Sequence, residues 1–350
     1  MGAAGRTLSE RELNRALLAR QLLLDRSRAS IPKVLDRMAG LQAQYAPSMY
    51  IGLAARMNGF ERDQLDRALE RRSVGQGTLM RSTIHLVSKA DYWPAAIGIR
   101  RGRREAWLKA RIRRDYSAAQ MSAAARRLRS RLGEGTMSRN EIHELLGSDS
   151  VVTNGVNVWL DLVRVPPSGT WERRRADLYA AAEHWLGSPP EIDEIEGIEH
   201  LVRRYLGAFG PATLDEIGNW MGLQPKRVAP AIERLELRSF DAEDGSELID
   251  LRRAPLPDPD TPAPARFLPT WDATLLVHAR RTGILPEEHR PKLFSSKSPQ
   301  SFPSFLVDGR VAGIWRYEKG KIKLDPFGRL DASARRELRE EADRLAELHA

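Results

Sequence analysis

The chain has 350 residues, 41% hydrophobic and 29% charged, which suits a globular protein with a real core, divided at ~150 residues per domain into two or three units. It has no cysteine, which excludes disulfides, thiolate zinc sites, iron–sulfur clusters and cysteine catalysis. No apolar run reaches the ~18 residues of a membrane span, the N-terminal segment has no signal-peptide core, and the formal charge is +9, so a cytoplasmic protein with an anionic partner is expected.

The chain opens with a helix: Ser9 and Glu12 form a capping box ahead of the apolar series Leu13, Leu17, Leu18, Leu22. Further helices are expected from Pro32 to Gly40, from Ser48 to Met57 behind Pro47, and from Arg62 to Arg71. Residues 74–88 then change period. Arg81, Thr83 and His85 alternate with Ser82, Ile84 and Leu86, which predicts a strand carrying those three polar side chains on one face. Short helices followed by a small β element read as a winged helix. From Arg100 to Arg131 there are twelve Lys and Arg against two acids, Glu105 and Asp115. Such a cluster suits a phosphate backbone, with Arg100, Arg101, Arg103 and Arg104 as candidate contacts.

The pattern recurs twice. Ser138 and Glu141 cap one helix, Gly147 ends it, and another is expected near Asn154. Thr213 and Glu216 cap a helix that breaks at Gly222, and a second starts at Pro225, the proportions of a helix-turn-helix. The acidic run 191–199 reads as a solvated face between units. Five prolines between Leu251 and Phe267 mark a linker. Beyond it Asp308-Gly309 and Lys319-Gly320 are hairpin turns in a small β-barrel or sheet, closed by an amphipathic helix from Ala332 to His349. The expected division is 1–132, 133–192 and 193–250 as winged-helix units, 251–264 as linker, and 265–350 as the β unit, an α+β chain that is mainly α.

Several chemical signals fail. His143-Glu144 lacks the second histidine of a zinc-protease helix, Gly75 and Gly77 lack the third glycine of a dinucleotide loop, and the seven histidines show no metal-ligand spacing. No metal or cofactor is expected. What remains is Gln42-Ala43-Gln44, two carboxamides two residues apart, which share a face if the segment is extended. Spacing alone also allows them to cap helix ends.

Three blocks carry a family resemblance: MAGLQAQYAPSMYIGLAARM (38–57), LMRSTIHLVSKADYW (79–93) and LPTWDATLLVHARRTGILP (268–286). With them the chain resembles the AlkZ/AlkX (YcaQ) family of winged-helix DNA glycosylases over nearly its full length. The resemblance implies tandem winged-helix units in a C shape around a DNA channel, plus a small C-terminal β-barrel. It places the family's catalytic Gln-x-Gln signature on Gln42 and Gln44, where the AlkX branch has Gln-x-Asp. It implies a monofunctional, metal-independent hydrolase of alkylated purines such as N7-alkylguanine, acting on double-stranded DNA, with a bacterial nucleoid setting. It places Arg81, Thr83 and His85 beside the active site, and a C-terminal β-hairpin near the lesion, for which Lys292, Lys297, Arg310 and Arg316 are the candidates. Trp271, Asp272 and His278 match the third block with no role beyond architecture. The absence of a dimerising coiled coil predicts a monomer. The rival expectation is a non-catalytic winged-helix regulator of transcription.

Overall fold

The computed structural model describes residues 6–110, 115–147, 149–175, 177–276, 283–294 and 301–350. Strand β1 (Thr7–Leu8) leads into α1 (Glu10–Arg20), whose first turn carries the Ser9–Glu12 capping box and whose Leu17 and Leu18 are buried. Then come α2 (Ile31–Met38), β2 (Leu41–Gln42), α3 (Ala46–Ala54) and α4 (Arg62–Glu70), close to the expected bounds.

The alternating stretch is not one strand. It is β3 (Val74–Thr78) and β4 (Ile84–Ser88), separated by a turn over Met80–Ser82 in which Arg81 and Ser82 are both left-handed, φ 52° and 57°. The chain reverses there, Leu79 N–H donating to Thr83 O at 2.9 Å across the turn. Of Arg81, Thr83 and His85, only His85 lies on a strand.

Two long helices follow, α5 (Lys89–Lys109) and α6 (Ala118–Leu132), then β5 (Met137–Ser138) and α7 (Arg139–Leu145), again with its capping box. The helix expected near Asn154 ends there instead. Helix α8 (Ser150–Gly155) stops where Gly155 lies on the Trp107 ring, so closely that a Cβ would stand 2.5 Å from it; Val156–Val158 form a 3-10 turn, and β6 (Leu162–Arg164) follows. Next are β7 (Leu178–Ala181) and α9 (Ala182–Trp185).

The acidic run is no loose face. It is the first turn of α10 (Glu194–Phe209), capped by Asp193 and Glu196, where carboxylates meet the positive helix end. This helix crosses α5 at Gly98 and Gly197; a Cβ on Gly98 would lie 2.6 Å from the Gly197 carbonyl carbon, so the two glycines permit backbone contact. Helices α11 (Leu214–Met221) and α12 (Pro225–Ile232) turn at the left-handed Gly222, and β8 (Leu237–Ala242) and β9 (Glu247–Leu251) complete this part.

Residues 252–265 have no helix or strand, yet they are strapped across α1: Arg20, Arg11 and Arg15 donate to the carbonyls of Pro255, Pro259 and Thr261. The C-terminal part comprises β10 (Arg266–Leu268), α13 (Arg290–Leu293), β11 (Ser304–Val307), β12 (Arg310–Glu318), β13 (Lys321–Pro326) and α14 (Ala332–His349).

Strands assemble into three sheets. An antiparallel sheet of order β2-β4-β3-β6-β7-β5 joins residues 41–88 to residues 137–181. A second, β1-β8-β9, pairs the N-terminal strand parallel to β8. The third is the meander β10-β11-β12-β13, and it is open at both ends where a closed barrel was expected. Its last strand alternates Lys321, Lys323 and Asp325 with Ile322 and Leu324, so one face is apolar and covered while charges line the free edge. Both hairpin turns have positive φ at their two central residues, 46° and 75° at Asp308-Gly309, 51° and 78° at Lys319-Gly320, as the I′ turn requires. Among the described residues no helix is long and apolar enough to cross a membrane.

Candidate active site

The Gln-x-Gln segment is held by the backbone before it. Ala39 (φ 59°) and Gly40 (φ 79°) are both left-handed, turning the chain out of α2 into β2. A side chain at Gly40 would meet the Leu86 carbonyl oxygen at 2.9 Å and Val87 at 2.8 Å, so only glycine fits. Strand β2 then pairs antiparallel to β4, placing Gln42 opposite His85, and Ala43 N–H donates to Ile84 O at 2.7 Å.

Gln42 is buried and Gln44 is exposed, and the two side chains meet: Gln42 Nε2 donates to Gln44 Oε1. Gln42 Oε1 accepts from Arg81 Nη2 at 3.1 Å, while Arg81 Nη1 donates to the Trp220 carbonyl at 2.9 Å. A guanidinium has only donors, so Gln42 must present its oxygen to Arg81 and its NH2 to Gln44. Arg81 thereby sets the polarity of both amides. The oxygen of Gln42 is engaged by Arg81, and Gln44 is the exposed member of the pair.

Arg81 is itself fixed from two sides. Its backbone is left-handed, and the turn glycine between α11 and α12 packs on it, a Cβ on Gly222 standing 3.2 Å from Arg81 Cα. Burial lowers the guanidinium to about 10, which leaves it charged at neutral pH. Thr83 donates its hydroxyl to Met80 O, a local turn bond. His85 is buried, its Nδ1 3.0 Å from the Thr83 carbonyl, so that nitrogen carries the proton. Burial first, then the Arg81 charge, lowers its pKa to about 3. His85 is therefore neutral and a poor base.

The depressed His85 pKa makes a prediction. The unfolded chain protonates this residue below its ordinary value of 6.5, while the folded chain resists until about 3. Its contribution to stability is full above pH 6.5 and is lost as pH falls through that interval. Denaturant midpoints of His85→Gln should therefore lose less than wild type between pH 6.5 and 4; equal losses would refute the assignment.

The basic segment behaves differently from its charge count. Arg100 pairs with Asp161 at 2.8 Å, Arg103 is buried and donates to Thr78 O and Asn157 O, and Arg104 donates to Val158 O and Trp159 O. These three bind α5 to the chain beside β6 and are not a solvated phosphate-facing row. Arg101 is exposed, beside Glu105 and Glu194. Among the described residues of the segment, Arg126, Arg127 and Arg131 on α6 are exposed cations, as is Lys109 at the end of α5.

At the C-terminal end, the Asp308-Gly309 turn is clamped to α1: Asp308 bonds Arg11 and Arg15, and Arg310 lies 3.9 Å from Glu10. The Lys319-Gly320 hairpin is the projecting one, with Arg316, Lys319, Lys321 and Lys323 along it. Arg316 and Tyr317 line the same cavity, about 530 Å³, as Tyr45, the neighbour of Gln44. Lys292 lies over the Phe327 ring at 5.1 Å, while Lys297 and His278 fall outside the described residues. Asp272 has a structural partner that spacing did not reveal: both its oxygens bond Arg56 at 2.9 Å, and both side chains are fully buried. Among the described residues no group of three or more His, Asp or Glu is placed to hold a metal.

A sheet-edge carboxamide pair tied to a buried cation, with exposed guanidinium and ammonium groups around it, suits chemistry on a polyanion. The family model for DNA glycosylase AlkZ-like proteins matches residues 35–348, and the chain belongs to that family. It is 24% identical over 340 residues to the interstrand DNA cross-link repair glycosylase of Streptomyces sahachiroi, covering 89% of this chain and 88% of that protein. The solved structure of the Streptomyces sahachiroi DNA glycosylase AlkZ has the same mixed α/β fold, with TM-score 0.83 and 20% identity over 98% of this chain and 97% of that one.

Proposed function

We propose that this DNA glycosylase hydrolyses the N-glycosidic bond of alkylated purines, N7-alkylguanine above all, as a monomer on double-stranded DNA, without metal and without a covalent intermediate. Bulky N7 adducts and interstrand cross-links fall within the same reading, the latter because the Streptomyces relative bears that name. The observation that carries it is the chain Arg81–Gln42–Gln44, which ends in an exposed, polarised carboxamide.

N7-alkylation places a positive charge on the base, so the C1′–N9 bond breaks with its electron pair neutralising that charge and no proton need be added. A cationic sugar remains, and water adds to C1′, releasing a proton to solvent. Gln44 Oε1 has a second lone pair for the sugar charge or the water O–H. An amide does not titrate in this range, and His85 is neutral throughout it, so the rate is flat from about pH 6 to 9. In sequence no lysine occurs near the motif beyond Lys33, which disfavours a Schiff-base lyase step.

The same reading divides the chain into winged-helix units 1–132, 133–192 and 193–250, a strap 251–264 and a β unit 265–350, set in a C shape around DNA, with the first two units sharing the sheet β2-β4-β3-β6-β7-β5. The projecting hairpin with Arg316, and the α6 arginines, are the assigned DNA contacts. Action in DNA repair or self-protection against a genotoxin follows, in the cytoplasm at the nucleoid.

The test is a duplex with one N7-methylguanine, incubated without added metal and then treated with alkali to reveal abasic sites. Strand cleavage at the lesion is expected. No release there, nor from a bulkier N7 adduct, would return the chain to the regulator reading, with a search for a preferred sequence.

A further inference from the structure

A second polar site lies one residue from the Arg81 anchor. Between β3, β6, β7 and the helices α7 and α8 is a cavity of about 210 Å³, lined among others by Ser82, Arg139, Thr153, Asn154, Arg164 and Tyr179. Neither Arg139 nor Arg164 forms an ion pair among the described residues, whereas Arg100, Arg129 and Arg173 do. Burial lowers the Arg164 pKa, a hydrogen bond to Tyr179 opposes that lowering, and the Arg139 charge adds to it, so two like charges line one hollow that has no carboxylate in its lining. Holding guanidiniums together in this way is costly unless an anion joins them.

The remaining groups have the same polarity. Arg139 donates to Asn154 Oδ1 at 3.0 Å, which fixes that amide with its NH2 as the open end. The Thr153 hydroxyl is shielded from solvent and has no hydrogen-bond partner. The cavity thus offers guanidinium, amide N–H and hydroxyl donors, a set matched to a ligand that only accepts.

We propose that this cavity is a phosphate site, gripping one non-bridging phosphodiester of the DNA strand that passes the Gln42–Gln44 pair. Its position relative to a lesion rests on the glycosylase reading, but its existence does not. Ser82 lines it, Arg81 holds Gln42, and Ile84 O is bonded to Ala43 N–H, so the site and the carboxamides are mounted on one turn and one strand. Seating the backbone here fixes the distance from phosphate to the sugar at Gln44.

The experiment compares wild type, Arg139→Gln, the Arg139→Gln/Arg164→Gln double variant, and Arg339→Gln, an exposed cation on α14, as a charge-matched control. Fluorescence anisotropy with an undamaged duplex gives the slope of log K against log salt. Loss of the phosphate contact lowers that slope by about 0.9 in the double variant and by part of that in Arg139→Gln, where Arg164 still faces the phosphate; Arg339→Gln leaves it unchanged. Arg139 is exposed, so its variant reads the site even if Arg164→Gln fails to fold. A neutral methylphosphonate, moved linkage by linkage past a 2′-fluoro N7-methylguanine that resists cleavage, weakens wild type at one linkage and has no effect there in the double variant.

An unchanged slope, or the same loss in Arg339→Gln, overturns the proposal. If millimolar inorganic phosphate raises the wild-type melting temperature while the duplex slope is insensitive to Arg139, the cavity is a free-anion site and the DNA assignment fails. Loss of slope in a protein that excises nothing would leave the phosphate site standing and remove only the glycosylase reading.

Discussion

Replacing Gln44 by alanine is expected to lower single-turnover excision of N7-methylguanine by about 10²–10³-fold with duplex affinity unchanged, the scale seen when one preorganised dipole is removed from a developing charge. The direction follows from exposure: Gln44 is the open end of the carboxamide chain, and the buried Gln42 has its oxygen on Arg81. Gln42→Ala removes the group that orients Gln44, so the Gln42→Ala/Gln44→Ala double variant should be little worse than Gln44→Ala alone, as for residues acting as a unit. Multiplying losses would mean that the two amides act on the substrate separately.

Arg81→Met extends the same argument one bond further. It removes a charged donor, worth about 1.5–3 kcal/mol, and frees Gln42 to rotate, so a loss of roughly ten- to hundredfold in rate is expected. Arg81→Lys keeps one donor and should recover part of it. If Arg81 instead held a phosphate, its variant would weaken DNA binding and reduce the salt slope with little change in the rate of bound enzyme.

How much of this was readable from the chain depends on the distance over which each contact acts. Ser9, Ser138 and Thr213 cap helices three residues from their glutamates, and all three signals correspond to observed helix starts. The I′ turns and the Ala332–His349 helix are equally local. Helix α10 was missed because its first turn is acidic, and because Gly197 and Gly207 are poor helix formers, the first tolerated by packing against α5 and not by local propensity. The Gln42–Gln44 pair could be singled out from spacing, but the bond from Arg81 spans 39 residues and its second anchor 139, so the polarity of the pair could not be. The basic segment misled for a related reason. A charge count weighs every guanidinium alike, whereas Arg100, Arg103 and Arg104 are engaged by a carboxylate and carbonyls about 25 to 60 positions away.

A large stability loss is expected from Asp272→Ala. Its carboxylate takes two 2.9 Å bonds from Arg56, and both side chains are fully buried, so the substitution leaves an uncompensated guanidinium in the core. Removing one partner of such a pair costs about 3–5 kcal/mol, whereas replacing both by apolar groups is often neutral. Arg56→Met/Asp272→Leu should therefore regain most of what Asp272→Ala loses, measured as urea midpoints. The pair has a further consequence for the site. Arg56 also donates to Gly52 O in α3 and to Gln21 O, so it ties the helix that starts at the Gln-x-Gln loop to the segment entering the C-terminal sheet. Hydrogen exchange in Asp272→Ala should rise first in α3 and along the 266–276 segment, while α10 and α5, which pack on each other at Gly98 and Gly197, keep their protection. Uniform loss across the chain would mean that Asp272 holds the whole fold and not one joint; no loss would mean that water or Thr274, whose N–H and hydroxyl already bond the carboxylate, is part of a more tolerant network.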